Sequence, residues 1–255
     1  MLDPTRGAVA ASTLASAASV SHDDTTPTRG EEAVEWGPAA VAWEDGLITY
    51  VGPADGLAGV EAEWFEDCTI APGFVDCHTH LPFIGWRADE FEARLSGATY
   101  RDLHGRGGIY RSARMLADAA DDEVLGFCMP LLQQMADHGT TTLELKTGYG
   151  LSIEGELRQA RLARRLADTA PQTCTVTLLA CHAVPEGMDR GGWVRTVCDE
   201  LVPAAAGEGL VDAVDVYVED IAFTLDDLRA VAEVAAAHGL PVRCHADQLG
   251  PSGAA

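Results

Sequence analysis

The sequence predicts an α/β protein: an incomplete TIM-type (β/α)8 barrel of about five of the eight βα units, preceded by a small N-terminal β element. Three observations carry this. After Ala71, β-prone runs alternate with helical stretches; reactive side chains gather at the C-terminal ends of those runs; and before Ala71 the pattern is that of a hairpin.

The elements follow in order. Residues 1 to about 33 are rich in Ala, Ser and Thr and end in "HDDTTPTRGEE", which reads as a weakly structured lead-in. Its "AVAASTLASAASV" has too many hydroxyl residues for a signal-peptide core, and only Arg6 precedes it. In "AAVAWEDGLITYVG", Glu44-Asp45-Gly46 separates two β-prone runs and marks a hairpin. The expected division is therefore 1–70, a lead-in with part of a β-sandwich, and 71–255, the incomplete barrel.

Strands are expected at "GFVDCH", "TTTLELK" (Thr140 to Lys146), "CTVTLLACH" (Cys174 to His182), "AVDVYVE" (Ala213 to Glu219) and "LPVRCHAD" (Leu240 to Asp247). Helices are expected over "DDEVLGFCMPLLQQMADHG", closed by Gly139, over "SIEGELRQARLARRLADTA", opened by Ser152, and over "TLDDLRAVAEVAAAHG", between Thr224 and Gly239. Alternating βα units fit a doubly wound sheet or a barrel. The ends of the strands favour the barrel: His78 and His80, Lys146 and Tyr149, His182, Glu219, and His245 with Asp247 all fall where barrels place their active sites. The chain stops at Ala255, where a full barrel needs about three more units, so a truncated chain is expected, against a complete five-stranded open sheet.

Composition excludes several classes. The chain has 255 residues, 47% hydrophobic and 22% charged, enough for a sizeable core. A formal charge of -23 argues against nucleic acid and anionic membranes as partners, since both need a basic face. Lys146 is the only lysine. Seven cysteines without C-x-x-C spacing fit free thiols in a cytoplasmic protein. No apolar run approaches the ~20 residues of a membrane span.

The motif with most chemistry is "APGFVDCHTHLPFIGWR", Ala71 to Arg87. Residues two apart on a strand share a face, so His78 and His80 aim both imidazoles at one point. That is chelating geometry for zinc, iron or nickel. H-x-H alone is also compatible with two polar residues opening a loop.

Five stretches in order, "PGFVDCHTHLPFIGWRADEFEARLSGATY", "HGTTTLELKTGYGLS", "LLACHAVP", "VDVYVEDIAF" and "VRCHADQLGPSGAA", resemble the imidazolonepropionase family of the amidohydrolase superfamily. The resemblance runs from about Trp43 to the end. It implies a barrel of the metal-dependent hydrolase type and one divalent or trivalent ion, zinc or iron, on His78, His80 and His245. The remaining ligand, an aspartate on the last strand, and a further catalytic histidine would lie beyond Ala255.

The implied reaction is hydrolysis of the cyclic amide of 4-imidazolone-5-propanoate to N-formimidoyl-L-glutamate, in histidine degradation. Arg87 matches the carboxylate-binding arginine, its planar fork suited to that role, and Tyr100 and Tyr149 match substrate-contacting tyrosines. His182 matches a histidine that hydrogen-bonds the ring carbonyl. Gln248 stands where some relatives carry a titratable glutamate; it can orient water or substrate but cannot act as a base.

"HGRGGIYRS" is one glycine short of the usual run. Lys146 follows the second strand, whereas the carboxylated lysine of two-metal relatives belongs on the fourth; it is expected to steady a loop or the substrate's negative charge. The partners implied are a small-molecule substrate and a second copy in a homodimer when complete. Two alternatives stand beside this reading. One is a ring deaminase, whose neutral base would leave Arg87 without a carboxylate; the other is an inactive fragment or scaffold remnant.

Overall fold

A computed structural model describes residues 6–16, 34–57, 59–98 and 107–254. It divides into two compact units, Met1–Gly73 and Phe74–Ala255.

In the first unit, β1 (Arg6–Ser16) pairs antiparallel with β2 (Val34–Trp36) and β3 (Ala39–Glu44), and parallel with β5 (Glu63–Ile70); β4 (Leu47–Pro53) completes the sheet against β3. The expected lead-in is thus corrected over residues 6–16, which form a paired strand. Its small side chains are the reason: Ala8, Ala10 and Ala11 stand opposite Ala42, Ala40 and Ala39, and all six are buried. Alanine has weak β propensity, so the local pattern is silent where packing decides. The hairpin between β3 and β4 turns on Asp45 and Gly46, both with positive φ (51° and 76°), as a type I′ turn requires.

The second unit holds a parallel five-stranded sheet in the order β10-β9-β8-β7-β6, the wall of a partial (β/α)8 barrel. Its strands are β6 (Phe74–Thr79), β7 (Thr140–Lys146), β8 (Thr173–Cys181), β9 (Ala213–Val218) and β10 (Val242–Ala246). The expected helices appear as α3 (Asp121–Asp137), α4 (Ile153–Thr169) and α7 (Leu225–Ala237). The Ser152 hydroxyl accepts the Gly155 N–H, and Thr224 with Asp227 forms a capping box, which fixes where α4 and α7 begin.

Alternation along the strands sets the layers. Leu143 and Leu145, Val176 and Leu178, and Val214 and Val216 are fully buried, in one core with Leu132, Leu162, Leu166 and Val231 of the helices. Each such side chain contributes roughly 1.5–3 kcal/mol of burial. The intervening positions carry Glu144, Lys146, Thr177, Asp215, Tyr217, Arg243 and His245. One face packs; the other carries chemistry.

Among the described residues four further helices lie between these elements: α1 (Ala88–Leu95), α2 (Gly108–Asp118), α5 (Arg190–Thr196) and α6 (Val202–Gly207). The pattern hides them for local reasons. α1 buries none of its residues, so its apolar positions are not aligned on a core. α5 and α6 carry three glycines and Pro203, which read as breakers, and a π turn at Val197–Leu201 joins them.

Candidate metal and substrate site

His78 lies in β6 and His80 one residue beyond its end; His245 comes from β10 at the far edge of the sheet. The structure brings the three together. His78 Nε2 is 3.2 Å from His80 Nε2 and 3.1 Å from His245 Nε2, and one nitrogen of each ring lies within 4.8 Å of the others. Nitrogens bonded at about 2.0–2.1 Å to one tetrahedral ion stand about 3.3–3.4 Å apart, so the donor set fits a metal. Lone pairs this close repel each other; a cation among them makes the same arrangement favourable.

Electrostatics agree. Burial, then His182 and the other two histidines, hold the His80 imidazole well below its usual pKa. Burial, His245 and Lys146 also lower His78. Both rings are kept neutral, the form that ligates.

The barrel-facing side chains beneath the cluster form a charged chain across four strands. Lys146, 2% exposed, reaches Glu144 Oε2 at 2.7 Å and Asp215 Oδ2 at 2.6 Å. Glu144 also accepts from Arg243 and from the Thr177 hydroxyl. Asp215 accepts from His245 Nδ1 at 3.0 Å. Burial raises the Asp215 carboxyl, but its bonds to His245 and Lys146 outweigh that and leave it below its ordinary value. The expectation that Lys146 steadies a loop or the substrate is corrected: its ammonium is spent on two buried carboxylates. Asp215 was legible only as an acid inside a valine run, at the same parity as Tyr217.

A cleft of about 410 Å3 opens from His80 and is lined by Phe83, Trp86, Arg87, Phe91 and Tyr149. Arg87 donates through Nη1 to Glu90 at 3.2 Å, and Glu90 also accepts the Gly108 N–H that begins α2. Tyr149 lies 5.5 Å from both His80 and His182, centroid to centroid. His182 Nδ1 faces Gly148 O at 3.1 Å. Gly148, at φ 112°, has no room for a side chain, since a Cβ there would sit 2.8 Å from His182 Nδ1. Gln248 lines a second cavity, about 310 Å3, on the side of His78 and His245. Its backbone N–H, with that of Leu249, is held by Glu219. Tyr100 lies outside the described residues, as do Thr99 and residues 101–106.

Sequence reasoning missed the residues that hold the Tyr149 loop. Glu156 of α4 is fully buried and accepts backbone N–H groups from Gly148, Gly150 and Leu151. Gln159 accepts the Tyr149 N–H and donates to Pro82 O, tying that loop to the one after His80. Both sit on a helix face that periodicity alone reads as core.

The chain is 43% identical over 213 residues to imidazolonepropionase of Xanthomonas campestris pv. campestris (strain 8004), a match covering 82% of this chain and 53% of that protein. The chain is a relative of the imidazolonepropionases. The imidazolonepropionase of Methylobacterium sp. (strain 4-46) is 44% identical over 220 residues, 84% of this chain and 55% of the other. The imidazolonepropionase of Brucella anthropi is 42% identical over 218 residues, 83% and 54%. The chain thus spans about half the length of the curated imidazolonepropionases it matches. No protein-family model matches it.

Among solved structures, A. niger ochratoxinase has a TM-score of 0.59 at 16% identity, covering 98% of this chain and 57% of that one. The 5-methylcytosine deaminase of Klebsiella pneumoniae gives 0.58 at 15%, with 92% and 51% covered. At such identities the likeness is one of fold. Among the described residues no helix is long and apolar enough to cross a membrane.

Proposed function

We propose that this chain is the metal- and substrate-binding part of an imidazolonepropionase, a hydrolase that opens the cyclic amide of 4-imidazolone-5-propanoate to N-formimidoyl-L-glutamate in the cytoplasm. The observation that carries it is the cluster of His78, His80 and His245 beside a cleft that presents Arg87 and Tyr149.

The three histidines would hold zinc or iron through Nε2. The chemistry such an ion would supply when bound is polarisation, which would draw the pKa of water down toward about 7 and make the ring carbonyl a better electrophile. Everything else belongs to the chain. Arg87 pairs with the propionate carboxylate, a charge-assisted contact that fixes which end of the substrate enters first. Tyr149 covers the ring opposite His80. His182 lies on the carbonyl side. Because Gly148 O can only accept, His182 Nδ1 carries its proton, and Nε2 donates to the developing oxyanion only as the imidazolium. Water adds to the ring carbonyl carbon, the carbon–nitrogen bond breaks, and the nitrogen takes a proton. Gln248 neither gives nor takes that proton.

The test loads the chain with zinc or iron, adds 4-imidazolone-5-propanoate and follows loss of the ring chromophore. Ring opening that requires the propionate supports the reading. Equal turnover of an imidazolone lacking the carboxylate contradicts it.

A further inference from the structure

We propose that Asp215 is a positioning residue for the metal site: its Oδ2, pinned by Lys146, locks the His245 ring with the proton on Nδ1 so that the Nε2 lone pair faces His78 and His80. The inference rests on the metal reading above and extends it to a residue two positions earlier in register.

The geometry is specific. β9 and β10 run in parallel register with Asp215 beside Arg243 and Tyr217 beside His245, so Asp215 reaches His245 diagonally across one face of the sheet. One oxygen, Oδ2, serves both partners: Lys146 Nζ at 2.6 Å and His245 Nδ1 at 3.0 Å. A carboxylate only accepts, so the nitrogen facing it must carry hydrogen, and the tautomer follows. The carboxylate is 2% exposed and cannot trade the ring for water.

Lys146 explains why the oxygen stays put. Its ammonium bridges Asp215 and Glu144, and Glu144 is held in turn by Thr177 and Arg243. The chain Arg243–Glu144–Lys146–Asp215 alternates in sign and is neutral overall, ending on His245. A ring with two rotamers and two tautomers is thereby reduced to one useful state before any metal arrives. Preorganisation of this kind, through the nitrogen that does not ligate, typically changes metal affinity 10–100-fold.

Two measurements test it. In the metal-free chain, long-range nitrogen–proton NMR of the histidines reads the tautomer directly; the expected result is the Nδ1–H form for His245, and the Nε2–H form overturns the proposal. Zinc affinity, by competition with a chromophoric chelator, is then compared between the chain and its Asp215→Asn variant. The amide can still accept from both partners through one oxygen but carries no negative charge to hold the ammonium and the ring, so affinity is expected to fall 10–100-fold. Affinity within twofold of the unsubstituted chain overturns the proposal while leaving the metal reading intact. Failure of the unsubstituted chain to bind zinc overturns both. Should the variant not fold, the tautomer measurement still decides.

Discussion

His80 and His182 lie face to face, ring centroids 4.8 Å apart and planes 12° from parallel. The stack joins a ring of the three-histidine cluster to the ring proposed to face the substrate carbonyl, so one contact sets both orientations. His182→Phe keeps the stack and removes the donor. Turnover is expected to fall about 10²–10³-fold with metal content unchanged; a parallel loss of metal, measured on the same samples, would assign His182 to the cluster instead.

Arg87 faces the cleft with its Nη1 on Glu90. A hydrogen bond to a charged group is worth about 1.5–3 kcal/mol, so Arg87→Ala should raise KM roughly 10–100-fold with a smaller effect on kcat. Steady-state kinetics separate the two. An unchanged KM for the propionate substrate removes Arg87 from the binding scheme.

Glu156 gives a pH dependence with a definite sign. Burial raises its carboxyl above the ordinary value despite hydrogen bonds from Thr147, Leu151, Gly150 and Gly148. The folded state therefore holds this proton to a higher pH than the unfolded state does. Its contribution is fully present below about 4.5, the unfolded value, and is lost as pH rises through the raised folded value. Glu156→Gln abolishes that loss. Urea midpoints at acid and neutral pH should show the variant gaining on the unsubstituted chain as pH rises; a constant difference contradicts the assignment.

Thiol chemistry follows burial. All seven cysteines are free, with Cys128 and Cys181 buried and Cys68, Cys77 and Cys244 exposed. Burial pushes the Cys128 thiol up to about 11 and Cys181 well above the ordinary range. An aromatic disulfide reagent should reach these two only after denaturant is added, because the thiolate is the nucleophile. Labelling of Cys181 in the native chain would show that the β8 region opens.

The strands and helices of the second unit were legible because period and punctuation agree there. Thr140–Lys146 alternates, Ser152 and Thr224 cap the following helices, and Gly139 and Gly239 end the preceding ones. Where they conflict the sequence is mute: β1 is built of alanine and hydroxyl residues that only pairing makes a strand, and α5 and α6 run through glycine and proline. The site divides the same way. His78 and His80 announce themselves by spacing, and His245 by its strand end and by family resemblance. Asp215, Glu144 and Gln159 act through contacts that reach 69, 99 and 77 positions along the chain, and Glu156 holds the loop five to eight residues before it, which no local pattern records.

Metal analysis of the purified 255-residue chain after incubation with zinc or iron and gel filtration tests the central claim most directly. The predicted result is about one ion per chain, lost in His78→Ala and in His245→Ala while both variants stay folded. An unsubstituted chain that retains no ion, or variants that retain it as well, would contradict the three-histidine site.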